Sequence, residues 1–236
     1  MSALAHYLES DGLATTLISL IRENSDKIRP PRALWVPFEL GRPLGVPNDP
    51  AFQRRVLTAA LDLLSAKAGP ITVDFPEEAT DRHGDPTWSP PAVAEAGTDA
   101  AALKAEVAAV AALHPNAIKA RDRTVFGLTE VGLAEIGDFF AALLNGEKPA
   151  SPRSDMRLSD FVKAAMEDLK SAYGEIASIG PGRPSSMQIA DGFWGGTAAG
   201  RALLDLHVRW ADGDDKRLKI VAQNFMIPRT QRHRLE

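Results

Sequence analysis

No cysteine occurs anywhere in the 236 residues. Disulfides, thiolate metal sites and thiol redox chemistry carried by this chain are therefore excluded. A cysteine-free chain fits a reducing, cytoplasmic setting. Histidine is scarce as well. The five sit at positions 6, 83, 114, 207 and 233, with no His-x3-His or His-Glu-x-x-His spacing, so the residues call for no metal and no cofactor. There is no Gly-x-Ser-x-Gly elbow, and Ser185-Ser186 reads as a helix cap, not a nucleophile. No apolar run approaches the ~18–20 residues that cross a bilayer. The first residues lead directly into Glu9, Ser10 and Asp11 without the basic and apolar regions of a signal peptide. Strong charge of one sign is also missing. A net charge of −4 and a pI near 5.8 argue against a nucleic-acid partner, because no large positive field is available to meet phosphate, and the missing apolar run argues against a membrane one.

What is present is globular. With 44% hydrophobic and 25% charged residues, the chain is able to bury a sizeable core. Acids concentrate in the middle: residues 61–180 hold 19 acidic against 11 basic groups, which reads as a solvated surface. Along the chain, residues 2–9 have the spacing of a short helix that ends at Asp11-Gly12. The β-branched, apolar run 14–21 predicts a buried strand, 23–28 one or two helical turns, and 33–37 a second strand. Asp49 or Asn48 caps a helix over 50–67, with Phe52, Val56, Leu57, Ala60, Leu61 and Leu64 as its apolar face. Residues 74–97, rich in proline and charge and holding an isolated Trp88, read as a linker.

Helical patterns then follow over 98–113, 129–145 and a third run capped by Ser159. Ser185 to Gln188 forms a capping box for a long helix to Trp210, and a last helix begins at 212–215. The expectation is an α/β N-terminal unit over 1–73, with short parallel strands and flanking helices, then the linker, then an all-α region of about five helices over 98–236.

Two stretches are candidates for chemistry. The first runs from Arg29 to Pro47. A strand leading into a Pro/Gly-rich loop and a capped helix is where α/β proteins place ligands. There Arg32 and Arg42 are carboxylate clamps and Glu39 an acid, base or orienter, with Arg29, Gly41 and Gly45 as further ligand-binding candidates. Pairing of Arg29 and Arg32 with Glu23 or Asp26 is the plain structural alternative. The second is Gly196, Gly200 and Arg201, with Gly192 one turn earlier. A smooth stripe for a packed helix is the first reading, and a backbone approached by an anion the second.

Residues 10–70 resemble the C-terminal part of the selenoprotein B component of the glycine/sarcosine/betaine reductases and its oxidoreductase relatives. The likeness rests on residues 12–21 after a helix, Arg29-Pro30-Pro31-Arg32, Pro37-x-x-Leu40-Gly41-x-Pro43, and Gln53-Arg54-Arg55 ahead of Ala59-Ala60-Leu61-x-Leu63-Leu64. It implies reductive C–N cleavage, with the substrate amine held on a carbonyl group of a partner subunit and a selenocysteine or cysteine as nucleophile. The family places that nucleophile just before the helix matching residues 2–9, and it has no counterpart here. Phe38-Glu39 also stands where the reductase component has His-Pro. The resemblance thus implies an oxidoreductase by descent that is incomplete or non-catalytic alone, working with a second subunit or as a homo-oligomer, or beginning at a truncated start. The residues also allow a module that binds a small carboxylate, an amino-acid-like ligand or a partner chain. A third possibility is a non-redox enzyme using Glu39 with Arg32 and Arg42.

Overall fold

The structure, a computed structural model, describes residues 2–79, 84–90 and 99–236. Contacts divide the chain into Met1–Arg82 and His83–Glu236. The first part holds a small parallel three-stranded sheet with helices, and the second is helical, as the sequence pattern predicts.

In the first unit, α1 (Ser2–Ser10) precedes β1 (Leu17–Ser19), α2 (Arg22–Ile28), β2 (Arg32–Trp35), α3 (Pro50–Asp62) and β3 (Ile71–Asp74). The strands lie in the order β1-β2-β3 and all run parallel, with Ala33 level with Leu17 on one side and Thr72 on the other. The central strand buries Ala33 and Leu34. Phe38, Phe52 and Phe75 cluster with ring centroids 5.5–5.9 Å apart, Phe75 edge-on to the other two rings and Phe38 tilted against Phe52.

The first unit departs from the sequence pattern in three places. The strand over 14–21 shrinks to three half-buried residues, because the Thr15 amide bonds the Glu9 carboxylate at 2.5 Å and Ile21 already caps α2. The predicted face of α3 is too wide: Phe52, Val56 and Ala60 face the core, while Leu57, Leu61 and Leu64 lie on the open side. The helix itself ends at Asp62, followed by a 3₁₀ turn over Leu63–Ser65. Finally, β3 was not foreseen, and the start of the expected linker packs: Phe75 is buried and Glu77 pairs with Arg55 at 2.7 Å. Of that expected linker, residues 80–83 and 91–98 lie outside the described residues.

The helical unit contains α4 (Ala100–Arg121), α5 (Leu133–Leu144), α6 (Leu158–Ile179), α7 (Ser186–Gly196), α8 (Ala198–Ala211) and α9 (Lys216–Val221). A π turn over Ala222–Met226 and a 3₁₀ segment over Arg229–Leu235 follow. Its core is one continuous cluster that includes Leu103, Val107, Val110, Ile136, Phe140, Phe161, Met166, Leu169 and Leu203. Asp99 caps α4 by accepting from the Ala102 amide, and Asp215 caps α9.

Helix α4 outruns the predicted end at 113 and passes through Pro115, because His114 and Ala117 continue its buried stripe. Helix α5 begins at Leu133, not Thr129, since Thr129 hydrogen-bonds Asp168 instead. Ser159 is not a cap. Helix α6 starts one residue before it and buries its side chain.

The capping box at Ser185 and Gln188 forms as expected, but the long helix behind it does not persist. It breaks at Thr197, whose extended backbone ends α7 and whose hydroxyl caps α8 by accepting from the Gly200 amide at 2.9 Å. The break also dissolves the expected glycine stripe. A Cβ at Gly200 would strike the Phe193 carbonyl across the break, one at Gly196 would meet nothing, and one at Gly192 would meet Pro90 at 3.1 Å.

Candidate functional site

In the arginine loop, Arg32 and Gly45 are engaged within the first unit. The Arg32 guanidinium donates to Glu9 at 2.6 Å and to the Ala66 carbonyl at 2.9 Å, joining β2 to α1 and to the turn after α3. Glu9 answers with bonds from the Thr15 amide and hydroxyl, and these, with Arg32, hold its carboxyl below the usual range. Asp26 pairs with Arg22, which also pairs with Asp74, while the acid that Arg32 takes is Glu9. Arg29 closes α2 in a left-handed conformation at φ 51 and is exposed.

Glu39, Gly41, Arg42 and Gly45 lie in two successive turns, with the Arg42 amide on the Glu39 carbonyl and the Gly45 amide on the Arg42 carbonyl, both at 3.0 Å. Gly45 is needed twice over: its φ is 79, and a Cβ would enter the Phe52 ring. Gly41 shares the positive φ but faces open space. The loop therefore brings Glu39 and Arg42 onto one turn, while Arg32 faces Glu9 and Ala66.

The second candidate stretch is also engaged. At the start of α8 the amides of Ala198 and Ala199 donate to Glu106 at 2.7 and 3.0 Å, and the Gly200 amide donates to Thr197. The positive end of the α8 dipole, beside Gly196, Gly200 and Arg201, is met by the chain's own carboxylate, so the second reading of this stretch, an anion at the backbone, finds these amides taken. Glu106 is 3% exposed and also accepts from the Tyr173 hydroxyl at 2.6 Å, so one buried acid joins α4, α6 and α8. Burial, followed by the charge of Glu106, pushes the Tyr173 phenol far above its ordinary value of 10.0.

Two further acids on α6 act alike. Asp168 accepts from the amides of Gly127, Leu128 and Thr129 and from the Thr129 hydroxyl, at 2.7–2.9 Å. Glu175 accepts from the Val125 amide at 2.8 Å and from Thr124, and lies 2.8 Å from His114 Nε2. Burial is the largest single influence on Glu175 and pushes it up, but the bonds from Val125, His114 and Thr124 together outweigh it and leave its pKa below the ordinary 4.5. Because the folded pKa is the lower one, this contribution to stability is complete above pH 4.5 and is lost as pH falls through the folded value. Thermal unfolding between pH 6 and pH 3 should show that acid-side decline, and Glu175→Gln should flatten it while lowering the melting temperature at pH 7. The acidic middle of the sequence is thus not all solvated surface: Glu106, Asp168 and Glu175 are buried.

Beside this buried network lies a cavity of about 300 Å³. Its floor is α6, where Lys170, Tyr173, Gly174 and Ala177 fall at helical i, i+3, i+4, i+7 positions. Helix α7 supplies Ile189 and Phe193 at the same spacing, with Trp194 beside them and Val110 from α4. Tyr173 and Phe193 meet edge-on at 5.2 Å, as do Phe193 and Trp194.

A further wall comes from the stretch expected to be linker, with Pro228 beside it. The Asp85 amide donates to the Arg183 carbonyl at 3.0 Å, and Gln188 Nε2 donates to the Asp85 carbonyl at 2.7 Å. This places Trp88 and Pro90 against Gly192. The walls are overwhelmingly apolar. Two of the polar side chains among them already donate internally, Tyr173 to Glu106 and Thr197 to the Phe193 carbonyl. Among the described residues no group of histidines and acids is arranged to hold a metal, and no helix is long and apolar enough to cross a membrane.

Compared with known proteins, the chain matches no protein-family model, no curated protein and no solved structure.

Gly174 and Trp88 are cavity residues that the sequence pattern does not single out. The signal at Gly174 was a glycine in the middle of an otherwise strong 22-residue helix. At Trp88 it was a large aromatic in a stretch too polar to bury it alone.

Proposed function

We propose that this protein is a small-molecule binding module whose helical unit takes one organic, mainly apolar ligand into the cavity between α4, α6 and α7. The observation that carries this reading is Gly174. A glycine inside a helix costs about 1 kcal/mol relative to alanine. Where neighbouring backbone crowds the position, that cost has a packing reason. Here a Cβ would meet only Ile189 Cγ2 at 3.8 Å, an ordinary contact, and the space above the glycine is the cavity. Aromatic walls, a concave apolar interior and few polar groups are the usual make-up of a ligand pocket. The hydroxyls of Tyr173 and Thr197 bond inward, which favours binding over catalysis. On the resemblance of residues 10–70, the N-terminal unit is a relative of the reductase component that keeps the framework and carries no thiol or selenol nucleophile of its own.

The test separates stability from binding. Gly174→Ala should raise stability by about 0.5–1 kcal/mol, and Gly174→Leu should fill the cavity. With 4-phenylbutanol as probe and tryptophan fluorescence as readout, binding should weaken several-fold in the alanine variant and at least about tenfold in the leucine variant. A folded leucine variant that binds as well as wild type overturns the proposal, as does a wild-type protein that binds no apolar probe.

A further inference from the structure

We infer that the ligand is an organic anion, an aryl or branched-alkyl carboxylate whose head pairs with Lys170 and whose body lies over Gly174 toward Phe193 and Trp194. The inference rests on the proposed cavity reading and adds the ligand's chemical class.

Lys170 stands on the same stripe of α6 as Tyr173, Gly174 and Ala177, one helical turn before Tyr173, and is the charged side chain in the cavity wall. Its ammonium donates to Glu167 at 2.6 Å, an i,i+3 pair whose acid is 45% exposed. An ammonium has three donors. A half-exposed pair of this kind contributes little, so a ligand carboxylate sheltered by the aromatic wall can replace Glu167. The opposite polarity does not fit. The acid behind the wall, Glu106, already receives three hydrogen bonds, and Tyr173 stands in front of it. A ligand amine would therefore find no buried acceptor charge and would face Lys170. The same arrangement fixes the direction of binding, because a carboxylate turned toward Tyr173 would approach the charge of Glu106. Glycine and betaine lack a body that fills about 300 Å³ of apolar space, so this site does not select them.

Three probes share one body and differ only in the head: 4-phenylbutyrate, 4-phenylbutanol and 4-phenylbutylamine. Titrated at pH 7 and low salt, the carboxylate should bind about tenfold more tightly than the alcohol, with the amine no tighter than the alcohol. Lys170→Gln should bring the carboxylate-to-alcohol ratio close to one. Glu167→Gln removes the internal competitor and should tighten the carboxylate severalfold. Lys170 and Glu167 are both part exposed, so both variants are expected to fold. Equal binding of alcohol and carboxylate, tighter binding of the amine, or a preference that survives in Lys170→Gln overturns the inference while leaving an apolar binding site in place. Failure of all three probes overturns the cavity reading with it.

Discussion

Glu106→Ala should remove about 4 kcal/mol of stability from the helical unit, the largest loss expected of any single substitution considered. The substitution strips the acceptor from the amides of Ala198 and Ala199 and from the Tyr173 hydroxyl, and all three residues are buried. A buried donor left without a partner costs about 1–3 kcal/mol. The truncation also leaves a void between α4 and α8. For a domain whose whole stability is about 5–15 kcal/mol, that loss is a large part of the total. Glu106→Gln keeps one acceptor oxygen but turns an NH₂ toward other donors, so about half the loss is expected. Chemical denaturation gives both values. A loss under about 1 kcal/mol for the alanine variant would mean that α8 is held in place by packing alone.

Asp168→Ala should follow at about 3 kcal/mol, and the ordering of the two carries information. Asp168 accepts four hydrogen bonds, one more than the three described for Glu106. Yet Gly127 and Leu128 are exposed, so their amides regain water when the acid is lost, whereas Thr129 is fully buried. The effective loss is therefore the two bonds to Thr129 plus the order of the segment between α4 and α5. Asp168→Asn retains an acceptor and should cost about half as much. Amide hydrogen exchange should show Thr129 losing protection in Asp168→Ala while the centre of α4 keeps it. Loss of protection throughout α4 would show that this segment and the helix unfold as one.

The outline of the fold was readable because it rests on patterns of period 2 and 3.6 and on strong punctuation. Pro30-Pro31, Asp49-Pro50 and the Ser185 capping box each act over a few residues, and the structure keeps all three near their expected places. What was not readable depends on partners far apart in sequence. The Thr15 amide leaves the strand for Glu9, and Thr129 leaves the helix for Asp168, two local propensities overridden by side-chain acceptors. The break at Thr197 follows the same logic, since Glu106, 92 residues before Ala198, supplies the acceptors that make a second helix start there.

The site was less legible than the fold. Arginine, glycine and proline drew attention to residues 29–47, but Arg32 answers Glu9 and Gly45 answers Phe52. One clue was available in the buried acids: Glu106 shares the i, i+3, i+4, i+7 stripe of Leu103, Val107 and Val110, a position that a solvated acid does not occupy. The cavity beside it needs Trp88 and Pro90 folded onto α7, and no local pattern encodes that return.

The four tryptophans, at 35, 88, 194 and 210, divide the possibilities for where a ligand enters. Trp88 and Trp194 line the cavity, whereas Trp35 ends β2 and Trp210 belongs to α8 away from it. With ¹⁵N-labelled protein, titration of 4-phenylbutyrate should shift the indole N–H signals of Trp88 and Trp194 in a saturable way and leave those of Trp35 and Trp210 in place. Signals that stay put for Trp88 and Trp194, or a saturable shift at Trp35 beside the arginine loop, would contradict the assignment of the binding site to the helical unit.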